Sequence, residues 1–383
     1  MSVTSPAGFR AAGLAAGIKE SGGADLAVVL NDGPSAAAAG VFTANRVQAA
    51  PVLWTRQVVR GGQVTAVILN SGGANACTGP AGFQDTHRTA ERVAAATATA
   101  AAGVAVCSTG LIGERLPMGK LLPGVDAVVA AAHAGGGAAA ADAIRTTDTV
   151  AKTAAVRGPG YTIGAMAKGA AMLAPALATM LVVVTTDASL PAADLDAALR
   201  QAAGSTFDRL DTDGCMSTND TVLLLASGAA GVAPDPGDFA ALLATVCADL
   251  AGQMQRDAEG ASKIITIEVT GAATDADAVT VGRAIARCNL LKCAIAGADP
   301  NWGRVLAAIG TTSATFEPDQ LDVAMNGVWV CRDGYATPDR SLVDLTPRAV
   351  SITADLRAGK AAATILTSDL TAEYVHLNSA YST

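Results

Sequence analysis

Histidine is almost missing from this chain. There are three in 383 residues: His87, His133 and His376. That disfavours a histidine-based metal cage and leaves little with which to build a Ser-His-Asp triad, although one imidazole suffices for a triad. Aromatic residues are also few at 3%, and no basic block offsets a formal net charge of −8, so nucleic acid is not expected as a partner. The seven cysteines are odd in number and scattered, with no Cys-x-x-Cys pair. Reduced thiols in a cytoplasmic setting account for them more simply than a disulfide framework. Residues 1–10 show no basic segment followed by an apolar one, so no secretory leader is expected. The long uncharged run 169–186 is broken by Pro175 and by threonines and is closely bounded by Lys168 and Asp187. It reads as a buried loop and strand, not a membrane span. No phosphate-cradling P-loop is visible, and neither a metal nor a cofactor is expected.

What the chain has instead is small apolar residues. It is 51% hydrophobic and 16% charged, with alanine and glycine supplying much of the apolar fraction. Such a chain can bury a sizeable core, as one large domain or two ordinary ones. Short apolar runs predict paired strands at 25–30, 39–43 and 52–54, and a further strand at 64–70 that ends in a glycine-rich polar loop, 71–79. Alanine-rich segments predict helices over 85–102, 125–134 and 138–144, with a strand at 104–107 between the first two. Further on, strands are expected at 181–186, 221–225 and 264–269, and helices at 192–203, 239–254 and 276–289. A turn-rich loop at 299–304 and several short strands over 320–353 complete the pattern. Strands and helices mix without strict βαβ alternation, which predicts an α+β fold of mixed sheets covered by helices.

The candidate chemistry gathers around 168–188, where a glycine- and proline-broken segment feeds a β-branched strand with Ala178-Thr179 at its mouth. A threonine inside a chain is a weak nucleophile. Freed as an N-terminus, it gains an α-amine that ordinarily titrates at roughly 7.7–8.0, suited to take the proton of its own hydroxyl. That chemistry needs no histidine. Cleavage before Thr179 uses the same hydroxyl: attack on the Ala178 carbonyl gives an ester, which water opens. Read from spacing alone, Ala-Thr at a strand edge is more often a plain structural pair. Acyl transfer also needs donors for a developing oxyanion, which Ser108-Thr109-Gly110 at a strand end could supply; the bland alternative is a simple turn. Lys168 reads either as a buried cation that binds a substrate carboxylate or tunes the nucleophile, or as a surface lysine at a loop edge. Glu259 reads as a countercharge for a substrate amine or as a solvated helix-end carboxylate.

The pattern Lys168-Gly-x-x-Met172-x-x-Pro175-x-x-Ala178-Thr179-Met180-Leu181 resembles the ornithine acetyltransferases (glutamate N-acetyltransferases) of the cyclic arginine pathway. The resemblance runs the length of the chain. It extends through Gly8-Phe9-Arg10-Ala11-Ala12-Gly13, Gly40-Val41-Phe42-Thr43, Leu69-Asn70-Ser71-Gly72-Gly73-Ala74-Asn75-Ala76-Cys77-Thr78-Gly79, Ser217-Thr218-Asn219-Asp220-Thr221, 299–304 and Asn378-Ser379-Ala380-Tyr381. It implies a four-layer αββα sandwich with a smaller C-terminal α/β part. It also implies self-cleavage into chains 1–178 and 179–383 that stay together, commonly as α2β2. The implied reaction is ping-pong: N2-acetylornithine acetylates Thr179, ornithine leaves, and glutamate takes the acetyl group. Acetyl-CoA stays open as a further donor. Carried over by position, Thr179 is the nucleophile and Thr109 with Gly110 stabilise the oxyanion. Thr146, Lys168, Thr179, Glu259, Asn378 and Thr383 contact substrate, the last requiring the C-terminal tail to fold back into the site. The competing enzyme is a self-processing aminopeptidase or amidase on a similar fold, with water as acceptor. The non-enzyme alternative is an uncut small-molecule-binding or scaffold protein.

Overall fold

A computed structural model describes residues 1–174 and 180–380, so Ala178, Thr179 and Thr383 lie outside the described residues. The chain begins with strands β1 (Phe9–Leu14), β2 (Leu26–Asn31) and β3 (Ala37–Phe42), helix α1 (Ala50–Arg60), β4 (Ala66–Asn70), α2 (Gly79–Thr97) and β5 (Val104–Ser108). Helices α3 (Met118–Ala130) and α4 (Gly137–Ala143) lead to the hairpin β6 (Lys152–Gly158) and β7 (Tyr161–Lys168). Then come β8 (Leu181–Thr186), α5 (Ala192–Ser205), β9 (Thr221–Ala226) and α6 (Pro236–Arg256). The last part holds β10 (Ile264–Ala272), α7 (Asp275–Ala286), α8 (Asn289–Ala296), α9 (Trp302–Ile309) and β11 (Asp322–Met325). It closes with β12 (Val328–Arg332), β13 (Tyr335–Ala336), β14 (Ala349–Asp355), β15 (Ala361–Ser368) and α10 (Ala372–Ala380).

The described strands form three sheets, ordered β1-β2-β4-β5, β3-β9-β8-β7-β6 and β13-β12-β11-β14-β10-β15. The first two stack face to face, and their strands are apolar on both sides because both sides are covered. In β8, Leu181 and Val183 turn inward to meet Val29, Val67 and Leu69 of the first sheet. Val182 and Val184 turn outward to meet Leu195 and Leu199 of α5 and Leu243 and Leu250 of α6. In the first sheet Ile68 and Val106 face outward onto Val93 of α2 and Val125 of α3. The order helix, sheet, sheet, helix is a four-layer αββα sandwich. Each valine or leucine fully buried in it contributes about 1.5–3 kcal/mol relative to exposure. The third sheet packs its own core against α7, α8 and α9, forming the C-terminal α/β part. Gln255 of α6 ties this part to the sandwich, donating to the carbonyls of Ile265 and Thr367 at 2.9 Å each.

Some element expectations are corrected. Residues 52–54 are not a strand but lie in α1, where Pro51 opens the helix and Val52, Thr55 and Val58 are buried at a spacing of three. Thr55 explains the burial of a polar residue there: its hydroxyl donates to Val106 O at 2.7 Å and accepts from Val106 N at 2.9 Å. Helix α2 begins at Gly79, ahead of the expected start at 85, with Pro80 in its first turn, and stops at Thr97, before the expected 102, because Ala98 turns left-handed at φ +54°. Helix α3 runs 118–130, ahead of the expected 125–134. The loop expected at 299–304 ends early, since α9 starts at Trp302.

Candidate active site

The edge where β5 and β7 end and β8 and β9 begin collects the polar residues. Thr109 and Gly110 follow directly on β5. The Thr109 N–H donates to Asn70 O, and the Gly73 N–H donates to Thr109 O, each at 3.0 Å, so the glycine-rich loop clamps this corner. Gly110 has φ +129°, and a Cβ there would lie 2.7 Å from the Gly73 nitrogen. Conformation and space both require glycine. The Gly110 N–H meets no acceptor among the described residues. Asn219 braces the corner from the other side, donating to Ala74 O at 2.7 Å and Ser108 O at 2.8 Å.

Lys168 ends β7 and is only 2% exposed. Its Nζ donates to Thr109 Oγ1 at 3.4 Å. Burial lowers its pKa, opposed by the charges of Asp148, Asp220 and Glu259 and reinforced by Lys152. Asp148 lies behind it. Its Oδ1 accepts from Lys152 Nζ at 2.6 Å and from the Gly169 N–H at 2.7 Å, and its Oδ2 accepts from the Thr146 N–H at 3.1 Å. Burial alone would raise the Asp148 carboxyl, but Lys168 and Lys152 outweigh it and hold the pKa at about 2. Lys152, wholly buried, also reaches Asp257 at 2.6 Å. That pair anchors the end of α6, two residues before Glu259. The Glu259 N–H donates to Ala170 O at 2.9 Å, and its Oε2 accepts from Asn378 of α10 at 2.9 Å.

Thr109, Gly110, Lys168, Asn219, Glu259 and Asn378 line one cleft of about 160 Å³. Of the residues expected from sequence, Thr109, Gly110, Thr146, Lys168, Glu259 and Asn378 all meet here, and Thr147 lines the cleft beside Thr146. Sequence reasoning gave no role to Asp148, Lys152, Asp213, Asp220 or Tyr374. The Tyr374 phenol, on the cleft wall, is pushed up to about 12 by burial and then by the negative charges of Asp213, Cys215 and Glu259. Tyr374 has a legible neighbour in Asn378, one helical turn away. Asp213 and Asp220 take hydrogen bonds from distant stretches of chain, whereas Asp148 pairs with Lys152 four positions along. Among the described residues no group of three His, Cys, Asp or Glu could hold a metal ion. No described helix is long and apolar enough to cross a membrane.

An αββα sandwich that sets a hydroxyl, a glycine N–H with no acceptor among the described residues and a buried lysine around one small cleft has the parts of an acyl-transfer enzyme. Comparison with known proteins narrows this. The ArgJ family matches residues 10–383. The arginine biosynthesis bifunctional protein ArgJ of Thermobifida fusca is 67% identical over 383 residues, covering 100% of both chains. Its counterpart in Streptomyces coelicolor is 66% identical over 382 residues, again covering 100% of both. Among solved structures, ornithine acetyltransferase from Mycobacterium tuberculosis, complexed with ornithine, is 63% identical, covering 47% of this chain and 96% of that one, with a TM-score of 0.45. The chain belongs to the ArgJ family, acetyltransferases of arginine biosynthesis.

Proposed function

We propose that this chain is a glutamate N-acetyltransferase that moves an acetyl group from N2-acetylornithine to glutamate through an acetyl-Thr179 intermediate. The observation that carries the reading is the convergence of Thr109, Gly110, Thr146, Lys168, Glu259 and Asn378, from separate stretches, on one cleft that Ala171 and Met172 also line. The chain first cuts itself. Thr179 Oγ1 adds to the Ala178 carbonyl, the C–N bond breaks as the ester C–O bond forms, and the hydroxyl proton ends on the new amine. Water then hydrolyses the ester, leaving an Ala178 carboxylate and a free N-terminal Thr179.

In the transfer cycle the α-amine takes the Thr179 hydroxyl proton while Oγ1 attacks the acetyl carbonyl of the donor. The Thr109 hydroxyl and the Gly110 N–H stabilise the oxyanion, and collapse expels ornithine. Glutamate's amine then attacks the acetyl-threonine, and the same donors serve the second oxyanion. Lys168 and Glu259 match the carboxylate and ammonium ends of an amino-acid substrate. Thr146, Asn378 and Thr383 complete its contacts, and no cofactor takes part.

Relatives named bifunctional support acetyl-CoA as a second acetyl donor. A cytoplasmic location keeps the free cysteines reduced, and chains 1–178 and 179–383 remain paired, as α2β2. The test is intact mass under denaturing conditions together with product analysis. We expect two chains meeting at Ala178/Thr179, one chain for Thr179→Ala, and acetylglutamate formed from acetylornithine. An uncut wild-type chain would sink the self-processing mechanism. Free acetate in place of acetylglutamate would instead make the protein an amidase.

A further inference from the structure

The parallel register of β8 and β9 pairs Leu181 with Thr221. The residues one step earlier, Met180 and Asp220, therefore lie side by side at the strand mouths. Asp220 is fully buried. Its Oδ1 accepts the Met180 N–H at 3.2 Å. Its Oδ2 has no hydrogen-bond partner among the described residues. An unsatisfied buried carboxyl oxygen is destabilising, and an interior position that needed only to be filled does not call for one. Asn219, next in the chain, shows that an amide with both N–H groups satisfied fits this region.

Building on the reading of Thr179 as nucleophile, we infer that Asp220 is the positioning residue of that nucleophile. Oδ1 holds the N–H of the residue that follows it, and Oδ2 is left to accept a hydrogen bond from the α-amine released by the cut. The role transfers no proton to or from Asp220. The amine still takes the hydroxyl proton, and the carboxyl fixes which way the amine lone pair points. Burial raises the pKa of this carboxyl well above the ordinary range, opposed by the Met180 N–H, the nearby Ser217 and Thr43 hydroxyls and the charge of Lys168. The charged group facing it is Lys168, itself backed by Asp148, Lys152 and Glu259.

The experiment compares full-length wild type, Asp220→Asn and Thr179→Ala by intact mass over time, by kcat and KM for acetyl transfer, and by Tm at about pH 6 and about pH 8. Asp220→Asn keeps the size and one acceptor but sets an N–H pair where the amine must donate. We expect it to melt at or above the wild-type Tm, with the gain larger at the higher pH. Either its self-cleavage or the kcat of its cut fraction falls about tenfold or more, with KM little changed. Wild-type processing and kcat in Asp220→Asn would overturn the inference. A Tm well below wild type at both pH values would also overturn it, by making Asp220 a structural residue. An uncut wild-type chain would instead remove the nucleophile reading itself, so the two failures are distinct.

Discussion

A lysine that ends a β-strand usually reaches water; Lys168 cannot. Held at 2% exposure with Thr109 Oγ1 as its side-chain hydrogen-bond partner, it is poorly satisfied for a cation. Lys168→Met is expected to keep or raise Tm while lowering kcat about 10²-fold or more. Its pKa is lowered in the fold, so the native state binds fewer protons than the unfolded chain between the folded value and about 10.4. Wild-type stability therefore rises with pH through that window, and the Tm advantage of Lys168→Met should shrink as pH climbs through it in a melting series. Gly110→Ala carries a different signature. At φ +129°, with its Cβ driven to within 2.7 Å of Gly73 N, it should lose about 1–3 kcal/mol of stability and most activity, read by denaturant titration and turnover. The identities at this scale were legible only through the sequence blocks around them. Composition alone gave Thr109 or Glu259 no more than even standing against a turn or a solvated helix end. Asp220 was not legible because its meaning is burial, and Asp148 because an acid four positions before a lysine does not tell that both are buried.

At the scale of elements, the strands with dense β-branching, β2, β4 and β8, stood out. The hairpin β6–β7 did not: Tyr161–Lys168 reads YTIGAMAK, whose alanines, glycine and methionine lack the usual strand signature. It forms a strand because β8 pairs with it through six residues, from Ile163↔Thr186 to Lys168↔Leu181. Residues 52–54 failed the other way, an apolar run too short for its period to be told without the buried face that the fold supplies. The hairpin also carries the buried link Asp148–Lys152–Asp257 that joins β6 to the end of α6. Removing the cation takes the ion pair from Asp257 and leaves Asp148 with Lys168 as its neighbouring cation. Lys152→Met should cost about 3–5 kcal/mol in a urea titration. Because Asp257 leads into Glu259, KM for the amino-acid substrates should rise with it in steady-state kinetics.

For the whole molecule, sequence pattern reached α+β with helices over mixed sheets, and the resemblance supplied the αββα order. Which face of each strand met the other sheet was not readable, because strands buried on both sides do not alternate. The second sheet also joins the two halves of the chain. In the order β3-β9-β8-β7-β6, strands from beyond residue 179 are flanked on both sides by strands from before it. Cleaved protein should therefore elute as one native species after high dilution and yield two pieces only in denaturant, checked by native and denaturing size analysis. Mixing cut wild type with a cut, mass-tagged preparation should give no hybrid pairs under native conditions.

That interleaving also sets an order of events. The sheet that holds β7, β8 and β9 together must be built before Thr109, Lys168 and Asp220 stand together at its edge. A misassembled chain does not have these groups in place to cut itself. On the proposed cut before Thr179, maturation inspects folding: the free N-terminus would be issued only to chains that have already passed, and the cut would serve as a quality stamp recorded in covalent structure.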